Sequence, residues 1–238
     1  MSEVSTASPR LIRVWDPGVR LFHWFLVISV ALTFLSSEED GPLAAWHIPL
    51  GWLAALLIAF RLVWGFVGGE HARFVNFIRP SHIVSHVRHL LSGNVAPSIG
   101  HNPLGAIAVL ALLGLTAATV VTGVSGGEDA HETMAYVLLW LVVLHVAAVV
   151  LMTYLTKDNL ILAMLTGRKR GDLFPDAKDA SPPSRLAIPV AVIAVAATAY
   201  GVTRADPQAF SSLGGTEAGE PGESKGAWGA EGFESDDD

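Results

Sequence analysis

Residues 131–155 read HETMAYVLLWLVVLHVAAVVLMTYL, with His131 at the first position and His145 at the fifteenth. Apart from Glu132 and the two histidines the stretch carries no acidic or basic side chain, and its length suits the roughly 17 to 25 helical residues that cross a bilayer core. Fourteen positions of α-helix make close to four turns and about 21 Å of rise. The two imidazoles therefore share one helix face at two depths, toward opposite sides of a membrane. Ionisable residues inside such helices are costly, which makes each a candidate for function.

The rest of the 238-residue chain agrees with a membrane setting. It is 51% hydrophobic, has a mean hydropathy of +0.47 and is only 16% charged, against about 25% in an ordinary soluble domain. The formal charge of -7 owes much to an acidic C-terminal tail, so it does not describe the whole surface, and nothing points to nucleic acid. Cysteine is absent, which excludes disulfides, iron–sulfur clusters, thiolate zinc sites and Cys-x-x-Cys-His haem attachment. A metal centre must be held by imidazole, thioether or oxygen.

Five apolar segments stand out, at about 20–36, 47–66, 103–122, 131–155 and 186–202. The second, third and fourth are comfortably long enough to span, and the first and fifth are short. Arg10, Arg13 and Arg20 before the first segment resemble a signal peptide, but His23 and Trp24 lie within it and no small-x-small cleavage site follows, so a retained helix is expected. Arginines of the amino terminus, Arg73, Arg79 and Arg88, and then Lys157, Arg168, Lys169 and Arg170 alternate with loops holding Glu38, Glu39 and Asp40, or Glu128 and Asp129. Positive residues favour the cytoplasmic side, which predicts a cytoplasmic amino terminus in the bacterial inner membrane and a periplasmic tail.

That topology sorts four histidines by depth: His23 with His145 near the inner face, and His47 with His131 near the outer face. Facing imidazoles from two helices are what a bis-histidine b-type haem requires. A lone histidine at a helix end is more often solvated, and Met134 or Met152 could offer a thioether instead. A metal transporter using histidines is a third possibility, although no Asp, Glu or Cys lies in the interior of the first four segments.

The run Val14-Trp15-Asp16-Pro17-Gly18-Val19-Arg20-Leu21-Phe22-His23-Trp24, His47 with Gly51, Phe60-Arg61-Leu62-Val63-Trp64-Gly65-Phe66-Val67-Gly68 and Arg73-Phe74 resembles the bacterial cytochrome b561 family. That family includes the b-type cytochrome subunit of nickel-iron hydrogenases. Gly100-His101-Asn102-Pro103-Leu104-Gly105, His131-Glu132 and His145 extend the likeness over about Leu11 to Arg170. The resemblance implies a four-helix bundle with two haems b, His23, His47, His131 and His145 as axial ligands, and electron transfer between the quinone pool and an outer-face partner.

Other residues carry paired readings. Arg61 could meet a haem propionate or snorkel to the headgroups. Arg20, one turn from His23, is a second propionate candidate. His101 and Asn102 could bind a quinone head group, ubiquinone or menaquinone, while capping by Asn102 before Pro103 is the simpler account. Gly51, Gly65, Gly105 and Gly114 could admit a porphyrin or a neighbouring helix, and Trp140 could pack on a haem while other tryptophans form interfacial belts. His82, His86 and His89 line one flank of a surface amphipathic helix, with a zinc site as the lesser alternative.

The expected architecture is all-α: a four-helix transmembrane bundle over 1–170 enclosing two haems, a polar linker at 171–185, a fifth transmembrane helix at 186–202, and a disordered acidic tail at 203–238. The tail either docks a basic periplasmic cytochrome c or merely solubilises. The expected function is electron transfer to or from such a cytochrome or a hydrogenase-like partner, as an electron carrier or an oxidoreductase subunit. A stand-alone superoxide:quinone oxidoreductase and a histidine-using metal transporter are the alternatives. A homodimer is compatible with either haem reading.

Overall fold

A computed structural model describes residues 10–38, 40–77, 88 and 97–211. The histidine-rich stretch with His82, His86 and His89 and the acidic tail beyond 211 lie outside the described residues. Among the described residues, five helices are long and apolar enough to cross a membrane.

Helix α1 spans Pro17–Leu35 and begins where Asp16 accepts from the Val19 backbone N–H, with proline at the first helical position. This cap starts the helix three residues earlier than the apolar pattern suggests, so His23 lies almost two turns inside. A short 3-10 turn, Ala44–Trp46, leads into α2, His47–Val67. One turn of helix, α3, covers Phe74–Phe77. Then follow α4, Pro103–Val124, capped by the Asn102 side chain at 2.6 Å from Gly105 N, and α5, Glu128–Thr156. The short α6, Leu160–Thr166, ends at Gly167 with φ of 80°, where a Cβ would lie 2.7 Å from the Trp15 carbonyl oxygen. Helix α7 covers Ala187–Ala205.

The spans pack as two antiparallel pairs, α1 with α2 and α4 with α5. The first pair is tied inside the bundle by Ser29 Oγ donating to the Leu50 carbonyl at 2.9 Å. Helix α5 stands off from α1 and α2, touching the rest of the bundle chiefly through α4 and α6. Helix α7 runs antiparallel along α2: Ser184 N donates to the Val67 carbonyl at one end, and Trp52 Nε1 donates to Asp206 at the other.

One end of the bundle carries a cap that the sequence hid. Strands β1, Leu11–Arg13, and β2, Arg168–Arg170, pair antiparallel with Ile12 opposite Lys169. Ile12, Val14, Trp15, Val19, Trp64, Phe174, Ala177 and Ala187 form its buried core. The stretch 171–185, read as a linker, is a packed strap: Arg10 donates to the Pro175 and Ala177 carbonyls, Ala180 N to the Arg13 carbonyl, and Ser181 N to Glu70. Its prolines and lack of periodicity suggested a tether, whereas its partners lie about as far away in sequence as Arg10 and Arg13. Order likewise extends past 203, since α7 continues to Ala205 and Ala209 is fully buried.

Inside the cap, Lys169 Nζ meets Asp158 at 2.6 Å with side chains 1% and 4% exposed, and donates to the Ser98 carbonyl at 2.8 Å. Burial pulls Lys169 below its ordinary pKa, against the hydrogen bond and charge of Asp158. This clasp ties the α5–α6 turn, β2 and the segment leading into α4. Lys169→Met, which strands a buried carboxylate, should cost about 3–5 kcal/mol, and Lys169→Met with Asp158→Leu should recover most of it. Thermal unfolding of the detergent-solubilised protein checks this; a double variant as unstable as the single one contradicts it.

Candidate cofactor site

The four histidines come from α1, α2 and α5 and are brought together in two pairs. His47 opens α2 and His131 lies one turn inside α5, with ring centroids 6.1 Å apart and planes at 81°. With about 2 Å from a metal to each imidazole nitrogen, and a little over 1 Å from nitrogen to ring centre, two axial imidazoles on one iron have a similar separation. His23 on α1 and His145 on α5 form the second pair, close enough for charge on one to act on the other.

The His47–His131 pair has its tautomers set by the backbone. His47 Nδ1 lies 3.0 Å from the Thr33 carbonyl and His131 Nδ1 lies 2.8 Å from the Thr119 carbonyl. A carbonyl only accepts, so each Nδ1 carries the proton and each Nε2 keeps its lone pair for a metal. Each acceptor belongs to the preceding helix of the pair. Thr33 lies in the last turn of α1, where carbonyls lack helical partners. Gly123 makes the second contact possible, because a Cβ there would meet His131 Nδ1 at 2.9 Å. The sequence reading missed Thr33, Thr119 and Gly123, since a backbone acceptor leaves no residue-type signal. At the other depth, His23 Nδ1 is buried with no partner.

Among the described residues no group of three or more His, Asp or Glu side chains is placed to hold a metal ion. Pairs of imidazoles suit a metal whose remaining ligands come from a macrocycle better than a bare transported ion. Two of the glycines singled out from sequence, Gly51 and Gly114, face open space, whereas Gly65 receives the Phe74 ring and Gly105 abuts Asn102. Arg61 is 2% exposed and its Nη1 has no partner, which rules out snorkelling and fits an anion brought by a ligand.

Other candidates are placed differently from expectation. Arg20 is engaged with the Met164 and Leu165 carbonyls at the C-terminal end of α6, a favourable seat for a cation, and is not free for a propionate. The Asn102 amide oxygen serves the α4 cap. His101 sits between Trp15, at 4.8 Å, and Phe77, at 4.4 Å, its Nδ1 buried without a partner. Burial, followed by the charges of Arg61, His71, Lys169 and His145, pushes His101 down to about 3, so it is neutral at ordinary pH. Trp140 is 71% exposed and faces outward: nine residues from His131 is two and a half turns, the opposite face of α5.

The family profile described as prokaryotic cytochrome b561 matches residues 14–167. The chain belongs to that family. Membership makes it a b-type cytochrome of electron transport, with haem and hence iron as its cofactor. Two curated relatives, each named "Probable Ni/Fe-hydrogenase B-type cytochrome subunit", from Azotobacter vinelandii and Azotobacter chroococcum mcd 1, are 28% identical over 124 aligned residues. The match covers 41% of this chain and 51% of each relative, so the chain spans about half the length of the proteins it matches. No solved structure matches. The matched region ends before the strap and α7, so these are additions to the family core.

Because Arg20 caps α6 in place of a cofactor, Arg20→Met should lower stability by about 1–3 kcal/mol through unsatisfied carbonyls while leaving the haem absorption per chain unchanged. A melting curve and a reduced-minus-oxidised spectrum of the same preparation check both halves. Loss of haem at unchanged stability contradicts this assignment.

Proposed function

We propose that this cytochrome carries electrons across the bacterial inner membrane between the quinone pool and an outer-face redox partner, through two b haems. The inner haem would be held by His23 and His145 and the outer by His47 and His131. The observation that carries the reading is the outer pair: imidazoles 6.1 Å apart, each with Nδ1 tied to a carbonyl so that Nε2 is left for iron. The same helix, α5, supplies the second ligand at the other depth. When bound, the haem iron supplies one-electron redox chemistry. The chain's own part is to fix ligand orientation and to exclude water from the site.

Orientation follows from charge. Arg10, Arg13, Arg73, Arg168, Lys169 and Arg170 belong to the capped end, while the described residues of the loops at the other end carry Glu38, Asp40, Glu128 and Asp129. The cap is therefore cytoplasmic and His47 and His131 lie toward the periplasm. Exposed carboxylates there, Glu132 included, favour a partner with a basic face, such as a cytochrome c or a hydrogenase-like protein. The same field repels superoxide, an anion, which counts against a stand-alone superoxide:quinone oxidoreductase. Quinone, ubiquinone or menaquinone, would exchange electrons at the capped end, where His23 and His145 lie.

Three measurements test this. Dithionite-reduced purified protein should show a b-type α-band, whose absence in haem-supplied protein ends the reading. His145→Ala should remove the inner haem and His47→Ala the outer, leaving one haem per chain; two haems retained by either variant contradicts the pairing. Gly123→Ala should displace His131 from Thr119 and raise the midpoint potential of one haem transition, because a less basic imidazole stabilises the ferric state less. Potentials unchanged in a folded variant contradict the role given to Thr119.

A further inference from the structure

Besides His23 Nδ1, three side-chain nitrogens at the capped end are buried without partners among the described residues: Nη1 of Arg61, Nε of Arg73 and Nδ1 of His101. They come from α2, from the turn before α3 and from the segment before α4; a row of rings connects Arg61 to His101, and Arg73 directly precedes the first of those rings, Phe74. The Arg61 guanidinium lies 4.6 Å from the Phe74 centroid, Phe74 and Phe77 are 5.9 Å apart, and Phe77 and His101 are 4.4 Å apart.

A guanidinium taken out of water needs an anion, and among the described residues no carboxylate is paired with it. Asp16, whose charge acts on Arg61, already accepts from Val19 N, Trp64 Nε1 and Gly69 N. Asp158 is paired with Lys169, and Glu70 accepts from Ser181 N. His101 is faced by Arg61 from α2, by His71, by Lys169 from β2 and by His145 from α5, a surplus of cationic and neutral groups. His145 also places this cluster beside the inner pair of imidazoles.

We propose that Arg61, Arg73 and His101 form one carboxylate cradle for the propionates of the inner haem, so that His101 serves the resident cofactor and not an exchanging quinone. This rests on the reading that His23 and His145 hold a haem. A single porphyrin brings two carboxylates on one rigid frame, which suits cationic donors on two elements and a neutral imidazole N–H on a third. A quinone must enter from lipid and leave again. A ring walled by Trp15 and Phe77 with a buried donor is suited to a group that stays.

The probe is haem b against its dimethyl ester, which keeps the iron and macrocycle but masks both carboxylates. Full-length protein purified without haem should bind two equivalents of haem b. The ester should fill the outer site equally well and the inner site, the one lost in His145→Ala, at least tenfold more weakly. Arg61→Leu should bind haem b at the inner site as weakly as wild type binds the ester, and Arg61→Lys should recover part of the affinity. In holoprotein made in cells, Arg61→Leu should lower the midpoint of one haem transition and leave the other in place. Equal affinity of wild type for haem b and ester at the inner site overturns the cradle while leaving the haem reading intact. Failure of both compounds to bind overturns both.

Discussion

An imidazole inside hydrocarbon must have both ring nitrogens satisfied, and the arrangement of this bundle follows from that requirement. Where His47 and His131 meet, the first nitrogen of each is met by the backbone of the preceding helix, His47 by Thr33 of α1 and His131 by Thr119 of α4. Both helix pairs use the same device. With the proton on Nδ1, the second nitrogen of each keeps its lone pair open, and α5 packs chiefly on α4 and not on α1 or α2. A planar group with an open axial position on each face satisfies both lone pairs at once. Under the proposed ligation, the family's haem would complete hydrogen-bonding and packing demands that the polypeptide leaves open.

The cap performs the complementary task at the other end. Helices in a bilayer have little hydrophobic drive to associate, so their ends must be located by specific contacts. Asp16 joins the start of α1 to the end of α2 through Trp64 and Gly69, Lys169 joins β2 to Asp158 and Ser98, and Arg20 closes α6. Together they set the positions from which His23, Arg61 and His101 approach the inner site. Helix α7, outside the matched family region, clamps α2 along its length and leaves the α5 side free.

The bundle and the placing of four histidines on its spans were legible in the sequence because they depend on short-range regularities: apolar length, charge alternation and a fourteen-residue spacing that returns to the same helix face. Asn102 before Pro103 announced its cap for the same local reason. What stayed hidden depends on distant pairing. Nothing within 171–185 reveals that Arg10 and Arg13 hold it, and nothing near Arg20 reveals the carbonyls of Met164 and Leu165. Trp140 shows a different limit: the 100° step that unites His131 and His145 already sets it on the far side, so its place could have been read from periodicity. Asp16 carried a local signal too, an acidic residue before proline, but its bond to Trp64 needed the fold.

Electron paramagnetic resonance of the oxidised, full-length protein, taken with its haem-to-chain ratio, tests the central claim most directly. Two low-spin ferric signals at two haems per chain are expected, since each iron would have imidazole on both faces. A single haem per chain, or a substantial high-spin signal in the intact protein, would contradict the paired ligation on which the account stands.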